Sequence, residues 1–153
     1  MALIVQGGFA ACTGGMVNNT ANDGTPYFLT ANHCLGNPGN WVYYFNHESA
    51  TCNGNTGPTN QSISGGTLLV NSGQSDVALI ELSQTPPTDF NVQYAGWDAS
   101  GTVPSSTVGI HHPSGDLKKI CFDDDSPSQQ NQFGAAVWYI DQWELGVTEG
   151  GSS

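Results

Sequence analysis

Three segments of the chain contain residue types that together can perform nucleophilic catalysis, in the chain order histidine, aspartate, serine. His33 ends the apolar segment Tyr27-Phe-Leu-Thr-Ala-Asn-His33, directly before a cysteine. Asp76 opens a second apolar segment, Asp76-Val-Ala-Leu-Ile-Glu-Leu82. Ser153 follows the turn-like segment Gly146-Val-Thr-Glu-Gly-Gly151-Ser152.

The chemistry of acyl transfer requires these three residue types. A serine hydroxyl is a weak nucleophile until an imidazole accepts its proton. The imidazole in turn needs a hydrogen-bonded, buried carboxylate that holds one tautomer and stabilises the cation. A glycine in the turn before the serine lets backbone N–H groups converge on the developing oxyanion, and loss of one such donor costs about 3–4 kcal/mol.

Short strands must position these residues, because the chain has no amphipathic stretch of helical length. Turn residues such as Asn22-Asp-Gly24 and Pro113-Ser-Gly115 separate the candidate strands. This regular spacing predicts an all-β barrel or sandwich. The candidate strands are Ala10–Val17, Tyr27–Ala31, Trp41–Asn46, Thr67–Val70, Val77–Leu82, Gln93–Trp97, Thr107–His111, Lys118–Phe122, Ala135–Ile140 and Leu145–Thr148.

The composition excludes several classes of protein. Of the 153 residues, 37% are hydrophobic and 10% are charged, so disorder through charge repulsion is not expected. The chain has thirteen acidic residues and only two lysines, with a net charge of −11. This charge repels nucleic acid, and the two lysines are too few for the basic face that a membrane-surface helix needs. No apolar run is long enough for a transmembrane helix. Low charge and four cysteines suit a secreted protein, although residues 1–5 are too short for a signal peptide.

Several motifs resemble those of a known enzyme family. Thr30-Ala-Asn-His33-Cys34 resembles the histidine motif of trypsin-like serine endopeptidases, and Ser75-Asp76-Val-Ala-Leu-Ile resembles their aspartate strand. Gly151-Ser152-Ser153 matches the first three positions of their Gly-Asp-Ser-Gly-Gly turn, in a Gly-Ser-Ser variant. The bacterial lysyl-endopeptidase group is most similar, on Cys12-Thr-Gly-Gly-Met-Val-Asn-Asn-Thr-Ala-Asn-Asp23, Ala95-Gly-Trp-Asp98, Ile110-His-His-Pro113 and Gly146-Val-Thr-Glu149.

The resemblance implies a role for each residue of the set. His33 is then the general base, Asp76 orients it, Ser153 is the nucleophile, and the N–H groups of Gly151 and Ser153 form the oxyanion hole. Each residue taken alone is more often structural, and it is the ordered set of motifs that favours a triad. The implied activity is hydrolysis of peptide bonds in proteins or peptides, with cleavage after lysine, by a secreted, monomeric enzyme that needs no cofactor.

The resemblance also implies a fold of two antiparallel β-barrels. We expect residues 1–153 to form one trypsin-like domain, with a complete first barrel at about 9–90 and part of a second at about 91–153. The segments at 53–64 and 123–133 match no motif of the family. Since the sequence stops at the proposed nucleophile, we expect a fragment that is inactive by itself.

Four cysteines permit three pairings. Resemblance and closeness to the histidine strand both indicate a disulfide between Cys12 and Cys34. Cys52 and Cys121 then either pair with each other or pair outside this chain, and we favour the second alternative.

Other features favour structural roles. His111, His112 and Asp116 suggest zinc, but adjacent strand residues point to opposite faces and the cysteines lie far apart, so no metal is expected. Asp123-Asp-Asp125 lacks the spacing of a calcium loop and is predicted to be a solvated acidic loop. Two alternatives to an enzyme stay open, a non-catalytic protease-like binding module and a secreted β-rich adhesin. A wide separation of His33, Asp76 and Ser153 is the observation that favours the adhesin.

Overall fold

The structure is a computed structural model that describes residues 1–132 and 134–152. In these residues the chain forms short strands, turns and four single-turn 3-10 helices, and no helix in them is long and apolar enough to cross a membrane. The strands are β1 (Ala2–Gln6), β2 (Phe9–Val17), β3 (Tyr27–Thr30), β4 (Val42–Phe45), β5 (Ser62–Ser64), β6 (Gly66–Ser72), β7 (Val77–Leu82), β8 (Thr107–His111), β9 (Lys119–Asp123), β10 (Ser128–Gln132) and β11 (Ala135–Tyr139).

The first seven strands form one antiparallel sheet in the order β5-β4-β1-β2-β3-β7-β6. The strands at the two ends of this order, β5 and β6, are separated in sequence by Gly65 alone, so the sheet must curl until its ends meet. The N–H of Gly65 donates to the carbonyl of Trp41 at 2.8 Å, and its own carbonyl accepts from the N–H of Ser83 at 3.1 Å. Its φ of +82° is a conformation that favours glycine.

Alternating side chains of these strands fill the barrel. In β7 every second residue is buried, and β4 buries Tyr43 and Phe45 in the same way. The ring of Phe28 meets that of Tyr43 edge-on, with 5.0 Å between the ring centres. Each large apolar side chain so buried stabilises the fold by roughly 1.5–3 kcal/mol, which makes this barrel a firm support for the residues at its rim.

The remaining strands form two separate hairpins, β8–β9 and β10–β11. The all-β fold with a complete first barrel and an incomplete second one is therefore confirmed. In the β8–β9 register Val108 lies opposite Phe122 and Ile110 lies opposite Ile120. We call this face the apolar face of β8–β9, and Val108, Ile110 and Ile120 on it are 59%, 44% and 46% exposed. Whether the boundary between the two parts lies near residue 90 stays a prediction.

Some predicted strands differ from the structure. The segments predicted at Gln93–Trp97 and Leu145–Thr148 contribute only single bridges, between Val17 and Ala95 and between Phe122 and Leu145. Strands β1, β5 and β10 were not predicted. β1 is a short apolar run considered only as a possible leader, and β10 is a fully exposed polar segment, Ser-Gln-Gln-Asn-Gln, with no alternation to reveal it.

Candidate active site

His33 lies in a single-turn 3-10 helix, Asn32–Cys34, that directly follows the end of β3. The next residue, Cys34, is bonded to Cys12 of β2, with 6.2 Å between the two Cα atoms. The predicted disulfide is therefore present. The carbonyl of Cys34 also accepts a hydrogen bond from the side-chain amide of Gln6 at 2.8 Å. Together these bonds tie the turn that carries His33 to two strands of the barrel.

Asp76 lies in the turn between β6 and β7 with a φ of +50°. Aspartate tolerates this left-handed backbone better than most residues. Its carboxylate reaches His33 with both oxygens: Oδ1 accepts from the backbone N–H at 2.8 Å and Oδ2 lies 2.7 Å from ring Nδ1. Because a carboxylate only accepts hydrogen bonds, Nδ1 carries a proton, and in the neutral form of the ring Nε2 is the nitrogen with the free lone pair.

The environment of Asp76 keeps its carboxyl group ionised. Partial burial raises the pKa of this carboxyl. The hydrogen bonds from the ring and backbone of His33, the charge of His33 and the N–H of Asn32 together lower it more. The pKa of Asp76 therefore lies below its ordinary value of 3.8, and the carboxylate is charged at neutral pH.

The turn proposed for the oxyanion hole contacts the other side of β2. Gly151 has a φ of +88°, and its carbonyl accepts a hydrogen bond from the hydroxyl of Thr13 at 2.6 Å. Thr13 is the neighbour of Cys12, so Gly151 and His33 are both anchored at the same point of β2. Ser153, the predicted nucleophile, lies outside the described residues.

His111 and His112 each bond to a backbone carbonyl in the structure. His111 Nε2 lies 3.0 Å from the carbonyl oxygen of Val147, and His112 Nδ1 lies 2.9 Å from that of Asp116. Both rings are buried. Burial lowers the pKa of His112 to about 4, against the opposing effect of its bond to Asp116, so the ring is neutral at neutral pH. These contacts fit the structural role predicted for the histidine pair.

The acidic segment is less solvated than predicted. Asp123 is 4% exposed, because it ends β9 with its side chain turned inward. Its carboxylate accepts from the N–H of Asp125 at 3.1 Å and the hydroxyl of Thr107 at 3.4 Å. These hydrogen bonds, made within the segment and to β8, compensate the lost hydration, so the prediction of a solvated loop is wrong for Asp123.

The two other cysteines carry free thiols, Cys52 exposed and Cys121 buried. Of the alternatives for them, the structure does not show a bond between the two, and pairing outside this chain stays a prediction. Sγ of buried Cys121 lies 3.9 Å from Nδ1 of His111, and both residues are on the buried face of the β8–β9 hairpin.

Sequence reasoning missed Thr13 and Ser114, which both bond to the glycines before Ser152. Thr13 donates to Gly151, and the N–H of Ser114 donates to the carbonyl of Gly150 at 2.6 Å. A threonine inside a strand and a serine inside a turn are ordinary in sequence. Only the fold brings them to Gly150 and Gly151.

Comparison with known proteins identifies the family of the chain and a curated relative. A family model described as the C-terminal domain of lysyl endopeptidase matches residues 1–153. A lysyl endopeptidase of Pseudomonas aeruginosa is 32% identical over 167 aligned residues, which cover 97% of this chain and 33% of that protein. The chain thus spans about a third of the length of this curated relative.

Proposed function

Because the chain belongs to the lysyl endopeptidase family, we propose that it carries the catalytic centre of a serine endopeptidase. The observation that supports this most strongly is the double hydrogen bond between Asp76 and His33. It leaves Nε2 of His33 as the acceptor that a general base requires. Ser153 is the nucleophile in this proposal, by its place in the Gly151-Ser152-Ser153 motif.

Each step of the proposed reaction uses a named atom. Nε2 of His33 accepts the proton of the Ser153 hydroxyl as its oxygen attacks the scissile carbonyl. The N–H groups of Gly151 and Ser153 stabilise the oxyanion that forms. His33 then gives the proton to the leaving amine, and water releases the acyl group by the same steps in reverse. Asp76 stays ionised throughout and stabilises the imidazolium.

The proposed substrates are proteins or peptides cleaved after lysine. The family and the name of the Pseudomonas relative support lysine, and an acidic surface attracts basic substrates. The chain itself offers few sites for such cleavage, because Lys118 and Lys119 are its only lysines and it has no arginine. The side chain of Lys118 is 19% exposed and lies 2.7 Å from Glu48. A secreted, monomeric enzyme is proposed on the same resemblance.

We also propose that residues 1–153 are not sufficient for turnover. The two hairpins β8–β9 and β10–β11 do not close a second barrel within the described residues. A protease of this type holds its substrate between two barrels, and correct orientation supplies much of the rate. Activity should therefore be sought in the whole protein, by which we mean the natural gene product that contains these residues.

The neighbouring serines provide a matched pair of variants for the test. In the whole protein, we expect Ser153→Ala to abolish hydrolysis of lysyl peptide substrates and Ser152→Ala to retain most of it. A fluorophosphonate probe should label Ser153 and leave Ser152 unmodified, as read by mass spectrometry. Peptide binding without labelling would instead support the non-catalytic binding module, and cleavage mainly after aromatic residues would contradict the lysine preference.

A further inference from the structure

The hydroxyl of Thr13 lies at the meeting point of three segments. Thr13 is in β2 and is 1% exposed. Its hydroxyl donates to the carbonyl of Gly151 at 2.6 Å and accepts from the backbone N–H of His112 at 2.9 Å. Its backbone carbonyl is bound separately, by the hydroxyl of Thr30 at 2.7 Å. The Thr13 hydroxyl has no part in the reaction steps given above, yet both of its hydrogen bonds reach residues far away in sequence.

The orientation of the Gly151 N–H is determined by hydrogen bonds on both sides of it. This N–H shares a peptide plane with the carbonyl of Gly150, which accepts from the N–H of Ser114. In a trans peptide the N–H and the carbonyl point in opposite directions, so the Gly151 N–H points away from Ser114. It has no acceptor among residues 1–132 and 134–152. A free, fixed N–H is what an oxyanion hole requires.

Glycine is poorly suited to holding such an orientation by itself. It adopts positive and negative φ with similar ease, so the peptide planes on either side of Gly151 can rotate unless other groups hold them. The peptide plane that follows Gly151 is held by Thr13, because the Thr13 hydroxyl donates to the Gly151 carbonyl in that plane. Thr13 also holds the N–H of His112, which precedes the 3-10 turn Pro113–Gly115 that contains Ser114. The Thr13 hydroxyl therefore restrains both peptide planes. It restrains the plane that follows Gly151 directly and the plane that precedes Gly151 through Ser114.

We infer that Thr13 is a positioning residue for the oxyanion hole, acting through Gly151 directly and through Ser114 indirectly. The inference rests on the proposed function. It differs from an ordinary packing role because it depends on the hydroxyl and not on the volume of the side chain. Valine has nearly the same shape without the hydroxyl, and serine keeps the hydroxyl without the methyl group.

The test compares Thr13→Val and Thr13→Ser in the whole protein, with Thr30→Val as the matched control. Thr30 is also buried and also loses one hydroxyl bond, the one to Thr13, but its side chain bonds to neither Gly151 nor His112. We expect Thr13→Val to lower kcat about 10²-fold, as for loss of one oxyanion donor, with little change in KM. Thr13→Ser and Thr30→Val should stay within about threefold of the wild-type kcat, whatever their thermal stability.

Hydrogen exchange gives a second readout that does not depend on activity. In the whole protein, the amides of His112 and Ser114 should exchange about tenfold faster in Thr13→Val than in the wild type or Thr13→Ser, because the His112 N–H loses its acceptor and the turn that holds the Ser114 N–H against the Gly150 carbonyl is no longer fixed. If the wild type is active and Thr13→Val keeps its kcat, this inference is wrong and the proposed function stands. The same conclusion follows if Thr30→Val loses as much kcat as Thr13→Val. If the whole protein does not hydrolyse peptides, the proposed function is wrong. If the exchange rates of the His112 and Ser114 amides are also unchanged in Thr13→Val, the coupling of Thr13 to Ser114 is wrong too.

Discussion

The carboxylate of Asp76 accepts two hydrogen bonds from a single residue, His33, one from its backbone N–H at 2.8 Å and one from ring Nδ1 at 2.7 Å. The ring is thereby oriented relative to its own backbone and to the β6–β7 turn. Next to this turn, near the end of β6, the side-chain amide of Asn71 donates to that of Asn32 at 2.6 Å and adds a second link to the segment that carries His33. The geometry of the pair thus depends on both turns at once.

Replacing the carboxylate by an amide tests this relationship. Asp76→Asn in the whole protein should lower kcat by about 10⁴-fold, because an amide that donates to Nδ1 forces the proton onto Nε2 and removes the base. Steady-state kinetics measure the change. Asp89→Asn is the control, since Asp89 is an exposed acid in a separate 3-10 turn, and equal losses in the two variants would contradict the assignment.

The lowered pKa of Asp76 predicts a dependence of stability on pH. A carboxyl whose pKa is lower in the folded than in the unfolded protein stabilises the fold fully above the unfolded value, near 3.8. This stabilisation is lost as the pH falls through the folded-state pKa. Urea unfolding of the wild type and Asp76→Asn should therefore show the full difference in the free energy of unfolding above about pH 5, and this difference should shrink as the pH falls below 3.8. A difference that stays constant as the pH falls would show that these contacts do not lower the pKa of Asp76.

The sequence predicts best those elements whose own residues determine them. Val77–Leu82 is predicted with both of its ends, because it is an apolar run that an acidic residue opens. β10 has no such pattern and is a strand only through its pairing with β11. Its existence depends on residues elsewhere in the chain, which no local pattern reveals.

The same distinction holds for the site. His33 and Asp76 could be selected by residue type, since few side chains perform this chemistry. Thr13 could not, because its hydroxyl bonds to residues 99 and 138 positions away. One sequence carries no signal for such contacts. Positioning residues of this kind become visible only when the fold is known.

The disulfide between Cys12 and Cys34 should contribute measurably to stability. It closes a loop with a sequence separation of 22 residues, for which chain entropy gives about 3 kcal/mol. We expect the double variant Cys12→Ser/Cys34→Ser to lose about this much in the free energy of unfolding, measured in urea. Cys52→Ser, at an exposed free thiol, should change it by less than about 0.5 kcal/mol, and similar losses in both would argue against the bridge.

Buried His112 predicts a second pH effect, in a different range. Burial lowers the pKa of this imidazole to about 4 from an ordinary value of 6.5. Between these values the unfolded chain binds a proton that the folded chain excludes, so stability falls as the pH falls, by at most about 1.4 kcal/mol per pH unit. Nuclear magnetic resonance of the imidazole carbons should show His112 still neutral at about pH 5.5. A His112 ring that titrates near 6.5 would contradict the burial on which this prediction depends.

The last prediction concerns the 153-residue chain by itself. The apolar face of β8–β9 is about half exposed in the described part of the chain, and a two-stranded hairpin without a third strand or full packing is marginally stable in water. The turn that carries Gly151 is bound to this part of the molecule, because His111 lies at the end of β8 and its ring bonds to Val147.

Disorder in β8–β9 should therefore spread to Gly151 and disturb the oxyanion hole. We expect rapid amide exchange in β8 and β9, slow exchange in β3 and β7, and no measurable hydrolysis of lysyl peptides by residues 1–153. The whole protein should show both protection of the hairpin and turnover that Ser153→Ala removes. Hydrolysis by the 153-residue chain that Ser153→Ala abolishes would show that one complete barrel and two hairpins are enough for catalysis.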